Sequence, residues 1–317
     1  MSENLLLIVG PTAVGKSNVA VQVAHKLNGE IVSADSMQVY KEFDIGTAKI
    51  TPKEQQGIPH YMIDVVNAKQ EFSVVHYREL ALEAISEIHK KNKLPIMVGG
   101  TGLYVRAVID PYKFQEQPVD NEYREELEKI ASEQGSHFLH RQLEQVDPQA
   151  ATRIHPNDLR RIVRALEYFR TTGEPISLSQ DAKYSDNCIF DVTMIGLTMD
   201  RDKLYQRINA RVDEMISSGL IEETKANLEK SYGSDTIPMG GIGYSQIIDY
   251  LHGKHSLDEA IRLIKRDTRR FAKRQLTWFR RDKRIKWIEV DKYPNFEAVV
   301  DEIIDLTENN KTGVVSE

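Results

Sequence analysis

Residues 5–17 read LLLIVGPTAVGKS, and this stretch decides the fold. Leu5 to Val9 is a short, uninterrupted apolar run, as expected of a parallel strand buried on both faces. Directly after it, Gly10, Pro11, Thr12, Ala13, Val14, Gly15, Lys16 and Ser17 match G-x-x-x-x-G-K-[ST]. Val19, Ala20, Val23, Ala24 and Leu27 then recur at helical spacing, so the glycine-rich turn joins a strand to a helix. In that context the turn is expected to bind phosphate, the alternative being a chance glycine turn before a helix. Its glycines permit backbone conformations that aim several N–H groups at one anion, and the helix N-terminus adds the positive end of its dipole. Lys16 is placed to reach phosphate oxygens, and the Ser17 hydroxyl suits a magnesium ion. The pattern specifies phosphate but leaves ATP hydrolysis, phosphoryl transfer and binding of another diphosphate open.

Further along, Glu30 to Ala34 reads as a second strand ending in Asp35, and Tyr61 to Val66 as another. Ser73 is a candidate cap for a helix with Tyr77, Leu80, Ala84 and Ile88 on one face. Leu94 to Val98 is a strand running into Gly99-Gly100-Thr101-Gly102, and 189–198 and 285–290 also read as strands. Strands alternating with helices predict an α/β fold, a P-loop NTPase-like parallel sheet with helices on both faces. The rhythm breaks near Pro111. From about 115 to 185 the periodicity is helical, with Asp120 capping Tyr123, Leu127 and Ile130. Asn157 or Asp158 caps a second run, Leu159, Ile162, Val163, Leu166 and Phe169, which stops at Gly173. A helical insertion domain at 114–185 is expected inside a core of 1–113 and 186–310, with a frayed tail at 311–317. Residues 200–219 predict a helix with Leu204, Ile208, Val212 and Met215 inward, and 256–284 a long basic one.

The 317 residues are 40% hydrophobic and 28% charged, enough for a sizeable core. No run approaches the roughly 18 apolar residues of a membrane span, and the N-terminal residues lack a signal-peptide pattern. Cys188 is the single cysteine, which excludes an intrachain disulfide and a thiolate metal cluster and fits a cytoplasmic setting. The net charge of −6 does not suggest a nucleic-acid binder, but the distribution does. Arg262 to Lys286 holds twelve Lys/Arg against only Asp267 and Asp282, a surface suited to a polyanion.

Ligands of open α/β sheets gather at the carboxyl ends of strands, and three polar groups fall there. Asp35, followed by Ser36, Met37 and Gln38, is a candidate general base or magnesium partner, or the cap of the next turn. Thr101 offers a hydroxyl to phosphate, or sits in a structural glycine turn. Lys203, Arg207 and Arg211 recur every four residues and form a solvated stripe or a clamp on a diphosphate. No apolar strand other than the one before Asp35 ends in an aspartate of the Walker B kind, which disfavours a generic ATPase. Residue chemistry alone thus reaches a P-loop enzyme with a helical insert and basic helices.

Several longer blocks carry a resemblance. GPTAVGKS at 10–17, SADSMQVYKEFDIGTAK at 33–49, PHYMIDVV at 59–66 and VGGTGLYVRA at 98–107 resemble the bacterial tRNA dimethylallyltransferases. The likeness continues through HPNDLRRIVRALE at 155–167, LYQRINARVDEMISSGLIEE at 204–223, IGYSQ at 242–246 and TRRFAKRQLTWFRRD at 268–282. It covers the chain to about residue 290. That family transfers a dimethylallyl group from dimethylallyl diphosphate, with magnesium, to N6 of adenosine 37 beside the anticodon. The resemblance implies that Thr12 to Ser17 hold the diphosphate of the isoprenoid, that Asp35 accepts the amine proton, and that Thr101 and Arg211 stabilise the departing pyrophosphate. It also implies that Ser36, Met37 and Gln38 contact a flipped-out base. Contacts to the tRNA anticodon stem-loop would come from Arg124, from Arg160, Arg161, Ile162, Val163 and Arg164, and from Met239, Gly240, Gly241, Ile242, Gly243 and Tyr244. The basic 262–286 region would meet phosphates, and a monomer outside any membrane is expected.

Three rivals share these features. A P-loop small-molecule kinase would consume ATP, and an adenylate isopentenyltransferase would modify free AMP. The helical insert and the basic helix favour an acceptor larger than a mononucleotide. A non-catalytic RNA-binding protein with a vestigial loop would have no use for Lys16, Ser17, Asp35, Thr101 and Arg211 together.

Overall fold

The computed structural model describes residues 3–111, 120–179, 188–230 and 236–312. Six strands form one parallel sheet: β1 Asn4–Val9, β2 Gly29–Ala34, β3 His60–Tyr61, β4 Leu94–Gly99, β5 Asp191–Thr198 and β6 Lys286–Glu289. Their order across the sheet is β3-β2-β4-β1-β5-β6. Ile8 lies opposite both Val98 and Ile195, and Ala34 lies opposite Gly99.

Burial explains why β1 shows no polar alternation. Leu5, Leu7 and Val9 pack on one face with Tyr77, Ala81, Ile85 and Ile88 of the helix Val74–Lys90. Leu6 and Ile8 pack on the other with Val19, Ala20 and Val23 of the helix Lys16–Lys26 and with Val299, Val300 and Ile303 of Phe296–Thr312. Side chains alternate across a strand, and helices cover both faces, so every residue after Asn4 must be apolar.

Two expectations change. The strand foreseen at Tyr61 to Val66 stops at Tyr61, because Met62 and Asp64 take φ of 65° and 58°, outside the extended region. Further on, Val66 forms an isolated parallel bridge with Tyr40, outside the six strands. Leu80, expected inside, is 38% exposed; the buried face of its helix runs through Ala81 and Ile85 instead. The cap itself is as read, with Ser73 Oγ accepting from the His76 N–H.

The chain separates into two compact units, Met1–Pro111 with Asn187–Glu317, and Tyr112–Asp186. The expected boundaries at 113/114 and 185/186 lie outside the described residues. Among the described residues the second unit is all helix, with its own core of Leu127, Leu139, Leu143, Ile162 and Leu166. Asp120 caps Asn121–Gln134, Asp158 caps Leu159–Thr172, and Gly173 ends the latter with φ 73°. In the first unit Asp200 caps Arg201–Ser217 and Ser256 caps Leu257–Phe279. The last helix runs to Thr312, past the point where fraying was expected; 313–317 lie outside the described residues.

Candidate active site

Three strand ends come together in the first unit. β4 lies between β2 and β1, so Asp35 after β2, Thr101 after β4 and the Gly10–Ser17 loop after β1 share one sheet margin. Ala13 and Gly15 of the loop hold φ of 65° and 107°. Gly15 then starts the helix Lys16–Lys26 without a side-chain cap, and among the described residues no side chain takes up its first-turn N–H groups. Thr12 has a different role. Its N–H donates to Gln275 Oε1 at 2.9 Å, and Gln275 Nε2 donates to the Gly100 carbonyl at 3.1 Å. This buried glutamine of Leu257–Phe279 ties the phosphate loop to the Gly99–Gly102 turn, and a Cβ at Gly100 would strike it.

Two cations converge on the loop. Lys16 Nζ donates to the Pro11 carbonyl at 2.7 Å, and Arg211 NH1 donates to Thr12 Oγ1 at 3.3 Å. Burial first, and the Arg211 charge second, press the Lys16 ammonium down from 10.5 to about 7, with Asp35 partly opposing. Burial likewise lowers Arg211, and Asp35 again opposes. Asp35, Glu214 and Glu54 offset part of the cost of burying Arg211, but the two cations repel each other, and an anion between them would relieve both the burial and the repulsion.

On the other side of the site Asp35 Oδ1 accepts from the Met37 N–H at 2.9 Å. Its second oxygen has no hydrogen-bond donor among the described residues. Thr101 Oγ1 accepts from the Ser36 N–H at 3.0 Å and donates to Ser36 Oγ at 3.3 Å, so β4 and the segment after β2 are locked together. Below them the Tyr77 and Tyr104 rings stack at 3.8 Å, and Tyr77 donates to the Ser33 carbonyl at 2.8 Å. Burial, with neighbouring phenols and Asp35, pushes both phenols up, so they stay neutral and form an aromatic floor.

Among the described residues no group of three or more His, Cys, Asp or Glu could cage a metal ion. The loop offers the Ser17 hydroxyl, which is exposed, and Asp35 is the carboxylate at the same sheet margin. Such a sparse oxygen set fits magnesium, which keeps waters and shares phosphate oxygens rather than needing an all-protein cage.

The structure sorts the remaining expected residues. Of the stripe on Arg201–Ser217, Arg211 bonds the loop at Thr12, and the Arg207 guanidinium lies beside Gly15. Lys203 pairs with Asp291 at 3.0 Å, and Arg207 lies 5.6 Å over the Phe296 ring. Gln38 donates from Nε2 to the Thr47 and Ala48 carbonyls, both at 3.3 Å, and its Oε1 accepts from Ser33 Oγ at 3.3 Å. Met239 and Tyr244 are fully buried core residues, so a surface contact from 239–244 falls to Gly240, Gly241 and Ile242, Gly243 also being buried. In the second unit Ile162 and Val163 are core too, which leaves Arg160 and Arg161 as the exposed cations of that turn. Arg124 and Arg164 both pair with the fully buried Glu167, at 2.8 and 2.9 Å, and hold that unit together.

The basic region is thinner than its count suggests. Arg262 pairs with Glu259, Lys265 with Asp213, Arg266 with Asp267, and Arg284 with Asp110 and Asp282. Arg269 bonds Asn209. Lys273, Arg274, Arg280, Arg281, Lys283 and Lys286 are exposed with no carboxylate partner among the described residues. No helix of the described residues is long and apolar enough to cross a membrane. Sequence reading assigned no role to Gln275 or Glu223. The available signal was a glutamine on the Ile264, Ala272, Phe279 stripe of an otherwise charged helix.

The description "IPP transferase" belongs to the family model that matches residues 38–282. The chain is 54% identical to the tRNA dimethylallyltransferase of Carboxydothermus hydrogenoformans over 96% of its own length and 97% of that protein's. A crystal structure of a full-length tRNA isopentenylpyrophosphate transferase from Bacillus halodurans matches with a TM-score of 0.71 at 44% identity, covering 98% of each chain. A eukaryotic dimethylallyltransferase acting on tRNA matches with a TM-score of 0.81 at 28% identity, covering all of this chain and 81% of that one.

Proposed function

The chain belongs to the IPP transferase family, and we propose on that premise how its strand ends carry the family's chemistry. It is a tRNA dimethylallyltransferase: the dimethylallyl group of dimethylallyl diphosphate moves to N6 of the adenosine next to the anticodon, and pyrophosphate leaves. The observation that carries the site assignment is the pair Lys16 and Arg211, two cations enclosed beside a glycine-rich loop whose helix has no side-chain cap. That arrangement is incomplete without an anion of high charge.

In this reading the loop N–H groups, Lys16 and Arg211 hold the diphosphate and take up the charge that grows on it as the allylic C–O bond breaks. The Thr101 hydroxyl, fixed by Ser36, stands at the same margin. Asp35 keeps one oxygen on the Met37 N–H and turns the other to the amine, whose proton it accepts as the new C–N bond forms. Ser36, Met37 and Gln38 position the flipped-out base. Magnesium, held by Ser17 and phosphate oxygens, would supply further charge neutralisation to the leaving group. The exposed cations of 273–286, with Arg160 and Arg161 of the second unit, meet RNA phosphates. The enzyme acts as a monomer in the cytoplasm.

The Asp35→Ala variant tests the reading. Unchanged tRNA affinity in a filter-binding assay, together with transfer reduced by about 10²–10⁴-fold, is expected. Transfer at the wild-type rate would remove Asp35 from the chemistry.

A further inference from the structure

The DIGTAK segment, residues 44–49, supplies the two carbonyls that hold Gln38, and it is itself clamped by a side chain remote in the sequence. The Glu223 carboxyl group of the helix Leu220–Glu229 accepts from three consecutive backbone N–H groups, those of Asp44, Ile45 and Gly46, at 2.9–3.2 Å. The Tyr244 hydroxyl donates to the same carboxyl group and accepts from the Gly46 N–H at 3.2 Å. Tyr244 is fully buried, its ring edge-on to Phe43 at 5.1 Å, and a Cβ at Gly46 would run into it. Three successive N–H groups around one oxygen pair form a nest of the kind that binds free anions. Here a side chain from 178 residues away fills it.

The clamped turn acts on Gln38. Thr47 Oγ1 donates to the Phe43 carbonyl at 2.6 Å, and the Ala48 and Lys49 N–H groups close back onto the Ile45 and Asp44 carbonyls. This shape presents the Thr47 and Ala48 carbonyls side by side, and both accept from Gln38 Nε2. Two carbonyls can only be satisfied by the amide nitrogen, so the orientation of the Gln38 amide is decided by the turn. Its oxygen receives Ser33 Oγ and retains a lone pair. A fixed acceptor of this sort suits an exocyclic amine and disfavours a carbonyl at the same place. Met37, adjacent in the chain, lies against Gly241, three residues before Tyr244.

We propose that Glu223 is a positioning residue for acceptor recognition: through the 44–48 turn it fixes the Gln38 amide with its oxygen toward the amine of the target base. This rests on the placement of the acceptor base at Ser36, Met37 and Gln38.

The test is a double-mutant cycle on the full chain. Transfer to a tRNA anticodon stem-loop is measured for wild type, Glu223→Gln, Gln38→Ala and the double variant, with dimethylallyl diphosphate affinity by calorimetry as the check on folding. Glu223→Gln keeps size and loses charge. Its expected effect is a fall in transfer kcat/KM of about 10–100-fold, with diphosphate affinity within twofold of wild type. In the Gln38→Ala background the same substitution should cost less than threefold. Tyr244→Phe, which deletes only the hydroxyl, should show the same pattern at smaller size. Equal Glu223→Gln penalties in both backgrounds, or no penalty in the first, would overturn the inference while leaving the functional reading intact. A wild-type chain that transfers nothing to the stem-loop would overturn the functional reading and the inference with it.

Discussion

The ionisation of Lys16 gives the most quantitative prediction. Burial and Arg211 bring its ammonium down from 10.5 to about 7, so at pH 7 about half of the empty sites carry a neutral amine, at pH 8 about one in eleven is still charged, and at pH 9 about one in a hundred. A diphosphate seated in the loop returns the group toward its ordinary range, because the anion offsets both the burial and the Arg211 repulsion. Binding above pH 7 must therefore take up a proton. Dimethylallyl diphosphate loses its last proton near pH 6, as phosphate esters do at about that value, so its own charge is nearly constant across the window. Affinity should fall about fiftyfold between pH 7 and pH 9, about 2.3 kcal/mol. The assay is isothermal titration calorimetry with dimethylallyl diphosphate and no tRNA, at fixed free magnesium, in two buffers of different ionisation enthalpy. At pH 8 the buffers should report uptake of about 0.9 proton per diphosphate bound. Lys16→Met should bind at pH 7 no better than wild type does at pH 9 and should show no proton uptake. A flat affinity from pH 7 to 9, without proton uptake, would refute the reasoning by showing that Lys16 does not change charge on binding in this range.

The same lysine carries a stability consequence: with a folded-state value near 7 and an unfolded one near 10.5, the unfolded chain binds more protons between them, so the empty enzyme should grow more stable as pH rises from 7 toward 10 relative to Lys16→Met, read as the difference in Tm between the two proteins. Gln275→Leu leaves the Thr12 N–H and the Gly100 carbonyl without their partner, a loss of about 1–3 kcal/mol that should lower Tm and weaken diphosphate binding together. Arg280→Ala and Lys283→Ala each remove one exposed cation with no carboxylate partner among the described residues; tRNA affinity across a salt series should lose about 0.7–0.9 from the log–log slope for each phosphate contact removed. Leu139→Ala empties a fully buried position in the second unit and should cost about 2–5 kcal/mol, visible as lost helical circular dichroism at a temperature where the wild type is intact.

Local patterns made the sheet legible. Strands buried on both faces show as apolar runs, and β1 and β4 could be placed to within a residue on that basis, while β2 and β5 were found despite the buried polar Glu30, Ser33 and Thr193. Tyr61 to Val66 has the same composition but departs at Met62 and Asp64 into positive φ, a backbone choice that hydropathy does not encode. The loop, Asp35 and Thr101 were readable because strand ends are where such sheets bind ligands. The rest of the site depends on partners remote in the chain. Gln275 meets Thr12 across 263 residues, and Glu223 meets Gly46 across 177. Arg124 and Arg164 read in sequence as RNA contacts, and nothing in the sequence signals that both also pair with a buried Glu167. Met239 and Tyr244 sit in a motif of recognised function, yet their side chains are core. A motif marks a segment as constrained without saying whether its side chains face the ligand or hold the groups that do.

The most direct test of the account is a transfer assay with radiolabelled dimethylallyl diphosphate, magnesium and unmodified tRNA carrying an adenosine run beside the anticodon, with AMP as competing acceptor and ATP as competing donor. Label in the tRNA alone, mapped to the adenosine next to the anticodon, is the predicted result. Label in AMP, or phosphate moved from ATP with no isoprenoid transferred, would contradict it and leave only the phosphate-binding loop standing.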